Sequence, residues 1–225
     1  MNSKFLIVLI NYNNSNDTAE CIFSLRNSGI NDSNILIVEN YSKDESYNQL
    51  KISFPEICIL KQIQNRGFSG GNNIGISYAI KNNFEYVVLL NNDTIVEQNA
   101  ISILIEKMDL HKEATLGTGQ IRYYPETNKI WYAGGKLIKW RGLAIHKFEN
   151  KNALEINQNK DEFVTFASGC FLCIRISNFE TLGPLDEKFF LYLEDIEYSA
   201  RAMSLKLKIL YVPSSVIYHK CRGER

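Results

Sequence analysis

Three polar clusters follow directly on apolar runs: Asn11-Tyr12-Asn13, Glu39-Asn40 and Asn91-Asn92-Asp93. In open α/β sheets, ligands bind beyond the carboxyl ends of the strands, so groups at those points converge on one crevice. Asn and Asp also favour turns, which is the plain reading of any single cluster. Asp93 carries the sharpest chemistry. A carboxylate just beyond a buried strand can hold Mg2+ or Mn2+ through oxygen, and such ions fill their shell with water and diphosphate oxygens. Asn91 is placed to orient a ribose or a metal-bound water. The competing role for Asp93 is to cap a helix expected around 99–110, several residues further on.

The stretch NRGFSGGNNIG, from Asn65 to Gly75, is the second candidate and reads as a glycine-rich turn. Gly67, Gly70, Gly71 and Gly75 permit close backbone approach and positive φ, and a helix N-terminus beyond such a loop attracts phosphate. Arg66 stands beside it. No Gly-Lys-Ser/Thr follows and the G-x-G-x-x-G spacing is missing, so an ordinary structural turn is an equal reading. The third candidate is Glu194-Asp195, at the expected start of a helix with Ile196, Ala200 and Met203 on one face. The helix dipole alone favours carboxylates there. The chemical reading is a general base that removes a hydroxyl proton. His219, after ILYV and PSSVIY, is a candidate metal ligand, with a surface or core histidine as the plain alternative. His111 ends an amphipathic pattern, and His146 receives no assignment. Cys170 and Cys173 lie in an apolar, strand-like run where i and i+3 point to opposite faces, so they read as core residues.

The elements that must position these groups are legible in the first half. Apolar runs at 5–10, 35–38, 57–60 and 86–90 alternate with helix-like stretches, and Ile101, Leu104, Ile105 and Met108 trace one helix face. Such alternation predicts an α/β fold with a mainly parallel central sheet and flanking helices. The regularity stops near 115. From there to about 165 the chain, with Trp131, Gly134-Gly135, Trp140 and Gly142, reads as irregular strands and loops building a binding face. Order returns with FVTFASGCFLCIRI and the strand ILYV at 209–212. One domain over 1–225 is expected, its regular half running to about 115.

Lys+Arg and Asp+Glu number 25 each, so the basic excess typical of nucleic-acid binders is missing. The 225 residues are 45% hydrophobic and 22% charged, as in globular proteins. FLIVLI is too short for a secretory core, and no run approaches about 18 apolar residues. Five scattered cysteines fit reduced thiols. A cytoplasmic protein is expected, with peripheral association as its only route to the inner face of a membrane.

The ordered set LIVLINYN, IVENYSKDES, NRGFSGGNNIG, VVLLNNDT, ASGCFLCIRI, LGPLDEKFFLYLEDIEYSARA and YVPSSVIYH resembles glycosyltransferase family 2, and within it the rhamnosyltransferase-like enzymes, over residues 5–219. The resemblance implies the GT-A fold with a nucleotide-sugar-binding half at about 1–115 and an acceptor and catalytic half at 116–225, a nucleotide-diphospho-sugar donor, a divalent metal (Mn2+ or Mg2+), inversion, and a saccharide or lipid-linked saccharide acceptor in bacterial surface polysaccharide synthesis. By motif, Asp93 and His219 would hold the metal, Asp195 would be the base and Glu194 would help place the acceptor. Asn11, Tyr12, Glu39, Asn65, Gly67, Gly71, Asn72, Asn91 and Asn92 would bind the nucleotide sugar, with Asp44 at the border. Two departures stand out. Glu39 replaces the family's usual Asp, and the sequence ends six residues after His219, where relatives continue. A nucleotide-binding relative without turnover and a sugar nucleotidyltransferase are the alternative readings.

Overall fold

The computed structural model describes residues 4–221. In chain order the strands are β1 (Phe5–Asn11), β2 (Ile35–Glu39), β3 (Cys58–Lys61), β4 (Tyr86–Leu90), β5 (Thr94–Val96), β6 (Ala114–Tyr123), β7 (Ile130–Tyr132), β8 (Gly135–Ile138), β9 (Leu143–His146), β10 (Glu162–Val164), β11 (Phe171–Arg175) and β12 (Lys208–His219). The helices are α1 (Ser15–Asn27), α2 (Ser46–Ser53), α3 (Gly67–Lys81), α4 (Ala100–Leu110), α5 (Phe179–Leu182) and α6 (Glu194–Ser204). A mixed α/β architecture results, with a central sheet ordered β10-β12-β6-β11-β4-β1-β2-β3. β3, β2, β1 and β4 run parallel, so the residues after each one emerge at the same edge. β11 lies antiparallel between β4 and β6, and β12 runs parallel to β6. β8 and β9 form a separate hairpin.

The inner parallel strands are apolar up to their polar last residues, Asn11 in β1 and Glu39 in β2, because helices cover the sheet. β2 and β4 are buried at every position, as a doubly covered strand requires. The glycine-rich stretch is not a loop. Most of it is α3 itself. A Cβ on Gly71 would stand 2.9 Å from Ile10 Cδ1, and one on Gly75 would stand 2.4 Å from Val8 Cγ1. Residues 8 and 10 share one face of β1, so these glycines let the helix lie close against that strand.

Between 115 and 165 the outcome differs most from expectation. ATLGTGQIRY is a ten-residue strand in the body of the sheet. Its small residues are set by crowding: a Cβ on Gly117 would meet Met108 Sδ at 2.6 Å, and one on Gly119 would meet Ser215 O at 2.2 Å. Likewise ILYV is only the start of β12, which continues past a register irregularity at 212–216 to His219. Cys170 and Cys173 are buried free thiols.

Candidate active site

The shelf at the end of β4 is built by three local constraints. The Asn91 amide donates to Cys170 O (3.0 Å), and Asn91 O accepts from Thr94 Oγ1 (2.7 Å), which turns the chain into β5. β5 then pairs with the end of β12, Thr94 opposite His219. The Lys220 amide donates to Asp93 O at 3.0 Å. This pairing brings Asp93 Oδ1 to 3.2 Å from His219 Nε2. The helix-capping role for Asp93 is not taken, since the N-cap of α4 is Asn99.

His219 is largely buried. Desolvation pulls its pKa down, but hydrogen bonds to Asp93 and Cys221 outweigh this and lift it to about 9. Among the described residues no group of three or more His, Cys, Asp or Glu is arranged to hold a metal ion. Asp93 and His219 nevertheless fit two neighbouring positions in a metal shell. Ligands about 2.1 Å from an octahedral ion stand about 3 Å apart, close to the observed 3.2 Å. Further ligands would come from diphosphate or water.

Lys220, which drew no attention in the sequence, holds this end of β12 in place. Its ammonium is buried, donates to Asp17 Oδ1 at 2.6 Å and also contacts Glu20. Burial lowers its pKa, and the two carboxylates more than reverse that. Removing one partner of a buried ion pair costs about 3–5 kcal/mol, and Asp17 would keep its bond from Asn14 Nδ2 (2.6 Å). Lys220→Met is therefore expected to destabilise the fold by about that amount, measured by urea unfolding. A change below about 1 kcal/mol would mean that Asp17 is satisfied without Lys220.

Two cavities flank Asp93. The smaller, of about 330 Å³, is lined by Tyr12, Asn40, Asn65, Gly67, Asn72, Asn91, Asn92 and Asp93 together with apolar side chains. Tyr12 is half exposed there. Asn40 braces its rim, donating to Asn65 Oδ1 and Gly67 O (3.0 Å each) and accepting from the Arg66 amide (3.0 Å). Asn11, Glu39 and Gly71 were expected in this lining but lie behind it. Asn11 is fully buried, accepts from Thr18 Oγ1 at 2.8 Å and donates to Ser42 Oγ. Glu39, also fully buried, accepts from the Ser42 amide at 2.9 Å through Oε1, while Oε2 has no partner. Gly71 faces Ile10. Asp44 is exposed and caps the turn into α2 by accepting from the Ser46 amide. Asn92 donates to Thr18 Oγ1 (2.8 Å), linking the shelf to α1.

The larger cavity, of about 740 Å³, is lined by Glu194, Asp195, His146 and the aromatic side chains of Phe68, Tyr123, Trp131, Phe166 and Tyr192. Asn91, Asp93, Phe68 and Leu191 line both cavities, so the two meet at the Asp93 shelf. The segment Phe190–Leu193 stands between them and is anchored on the start of α3. The Phe68 amide donates to Phe190 O at 2.7 Å, and Gly67 has a φ of 66° with Phe190 O where a Cβ would sit. Only glycine fits this contact without strain.

Asp195 Oδ2 accepts from the Gly169 amide at 3.1 Å, and Oδ1 accepts from the Ile196 amide at 2.8 Å. Burial raises its pKa, opposed by those amides and by His146. Glu194 is raised to about 7, chiefly by burial, and its Oε2 is buried without a partner. The unfolded chain releases the Glu194 proton near pH 4.5 and the folded chain near pH 7, so its contribution to stability declines across that window and is level above it. Glu194→Gln should remove this decline. Its melting temperature relative to the parent should rise from pH 4.5 to 7, and a constant difference would contradict the assignment.

His146 and Trp131 are site residues that motif reading left unassigned. Trp131 meets His219 and His146 edge-on, with ring centroids 5.1 and 4.8 Å away. The density of aromatic residues between 123 and 148 was their only signal.

Residues 6–183 match the profile of glycosyl transferase family 2. The chain belongs to that family. A low-salt glycan biosynthesis hexosyltransferase of Haloferax volcanii is 29% identical over 208 residues, covering 90% of this chain and 62% of its own. A dTDP-rhamnosyl transferase of Shigella flexneri is 24% identical over 232 residues, covering 97% and 70%. The chain thus spans only part of the relatives' length. The fold resembles GalNAc-T7 solved with UDP, GalNAc and Mn2+ at TM-score 0.76 and 16% identity, over 98% of this chain and 44% of that one. The central sheet with flanking helices is the GT-A arrangement shared by such glycosyltransferases. No helix among the described residues is long and apolar enough to cross a membrane.

Proposed function

We propose that this family 2 glycosyltransferase moves a sugar from a nucleotide-diphospho-sugar to a saccharide acceptor with inversion at the anomeric carbon. The observation that carries the reading is the meeting of two cavities at Asp93, with Asp195 in the larger one. The nucleotide sugar occupies the smaller cavity, among Tyr12, Asn40, Asn65 and Asn91. The acceptor occupies the larger, where Trp131 and Tyr192 offer flat apolar faces to a sugar ring. Residues up to about 115 serve mainly the donor and those beyond mainly the acceptor, with Phe190 and Leu191 reaching back to the donor side, His219 to Asp93, and Phe68 to the acceptor side.

Asp195 takes the proton of the acceptor hydroxyl as its oxygen attacks the anomeric carbon. The bond from that carbon to the diphosphate oxygen breaks, and the nucleoside diphosphate leaves with the electron pair. The amides of Gly169 and Ile196 hold the carboxylate in position. Glu194, neutral below about pH 7, avoids placing a second full negative charge beside Asp195. A divalent cation, Mn2+ or Mg2+, bound at Asp93 and His219 would offset charge on the leaving diphosphate.

The names of the relatives favour dTDP-rhamnose as donor, with UDP-sugars next, and glycan biosynthesis as the setting. A panel of nucleotide sugars, assayed with Mn2+ and Mg2+ for acceptor-dependent nucleotide release, tests this. Release with one donor class supports transfer. Metal-dependent nucleotide binding without release under any donor and acceptor would instead identify a binding protein.

A further inference from the structure

The β8–β9 hairpin has two unlike faces. In its antiparallel register Gly135 pairs with His146 and Leu137 with Ala144, while Lys136 pairs with Ile145 and Ile138 with Leu143. Paired residues share a face. Ala144 and His146 line the larger cavity and Leu137 is buried, so the first set faces inward. The second set faces out, with Leu143 47% and Ile145 48% exposed. At the tip Trp140 is 85% exposed, and the Arg141 guanidinium lies 5.4 Å from its ring centroid.

The charge of this hairpin departs from that of the chain. Residues 136–147, KLIKWRGLAIHK, contain three lysines, one arginine and no carboxylate, whereas the whole sequence is neutral. Lys147 is engaged by Glu162 at 2.8 Å. Lys136 and Arg141 are exposed beside the apolar side chains.

We propose that this outward face, led by Trp140 and Arg141, docks the protein on an anionic lipid bilayer. An indole with interleaved cations suits the headgroup level, where aromatic rings bridge the apolar and aqueous phases and basic residues meet lipid phosphates. The face is one hairpin wide, and its apolar side chains alternate with cations and no carboxylate. Its inner side walls the larger cavity, so docking brings that cavity to the membrane surface. The inference stands apart from the transfer reaction, because lipid binding is read without donor or acceptor.

Flotation of the full chain with phosphatidylcholine vesicles, with and without phosphatidylglycerol, provides the test. Binding to the anionic vesicles is expected, weakened by salt, and about tenfold or more weaker on neutral ones. The double variant Trp140→Glu/Arg141→Glu should lose about tenfold or more of vesicle binding with an unchanged melting temperature, since both side chains lie outside the core. Three results would overturn the proposal: no binding to vesicles, equal binding to both compositions, or undiminished binding of the double variant. A shift in oligomeric state caused by the double variant would also overturn it, by assigning the face to a second copy of the chain.

Discussion

Asp195→Asn is expected to lower the rate of sugar transfer by about a hundredfold to ten-thousandfold, while donor affinity stays within about twofold of the parent. The substitution keeps the shape of the side chain, and its amide oxygen can still accept from the Gly169 amide. It removes the capacity to take a proton, and its amide nitrogen cannot accept from the Ile196 amide as Oδ1 does. Asp195 lines the larger cavity and not the smaller, so nucleotide binding has no reason to change. Acceptor-dependent nucleotide release measures the first quantity and calorimetry the second. Turnover near the parental rate would remove Asp195 from the role of base and turn attention to Glu194. In the parent, protonation of Asp195 should also switch transfer off on the acid side. Its pKa is raised by burial, so that loss begins above the pH at which an exposed aspartate would titrate.

Asp93→Ala is expected to fail differently. Asp93 lines both cavities and faces His219. Truncation leaves the imidazole as the lone protein group for a metal at this point. Transfer should fall by about a hundredfold to a thousandfold, the scale seen when a group that stabilises developing negative charge is removed. The gain in nucleotide affinity on adding Mn2+ should disappear as well. The two variants therefore separate the roles: Asp195→Asn retains metal-dependent nucleotide binding, and Asp93→Ala loses it. An undiminished Mn2+ effect in Asp93→Ala would place the metal elsewhere.

Legibility followed the length scale of the interactions. Apolar runs such as Phe5–Ile10 and Tyr86–Leu90 state their own burial, and the parallel half of the sheet follows from them. β6 was hidden because its composition answers to neighbours. Gly117 and Gly119 are small where Met108 and Ser215 press in, and nothing in ATLGTGQIRY announces those contacts. The glycines of α3 misled in the same way, since a glycine needed for close helix–strand packing looks the same in sequence as one needed for a turn. Lys220 pairs with Asp17 across 203 residues, beyond the reach of any local pattern.

By itself the sequence determined the α/β class, the polar groups at the strand ends, and through its ordered motifs the glycosyltransferase family. These depend on local apolar periodicity and on residue types that short motifs carry. Only the tertiary structure decided which of those groups face a cavity. It buried Asn11 and Glu39 in internal hydrogen bonds and left Tyr12 and Asn91 at the surface of the smaller cavity. It set Asp93 against His219 because β5 and β12 pair there, and it made Trp131 and His146 neighbours in a wall that no motif describes. Strand pairing over long sequence separations sets these positions, and that information resides in the packed chain as a whole.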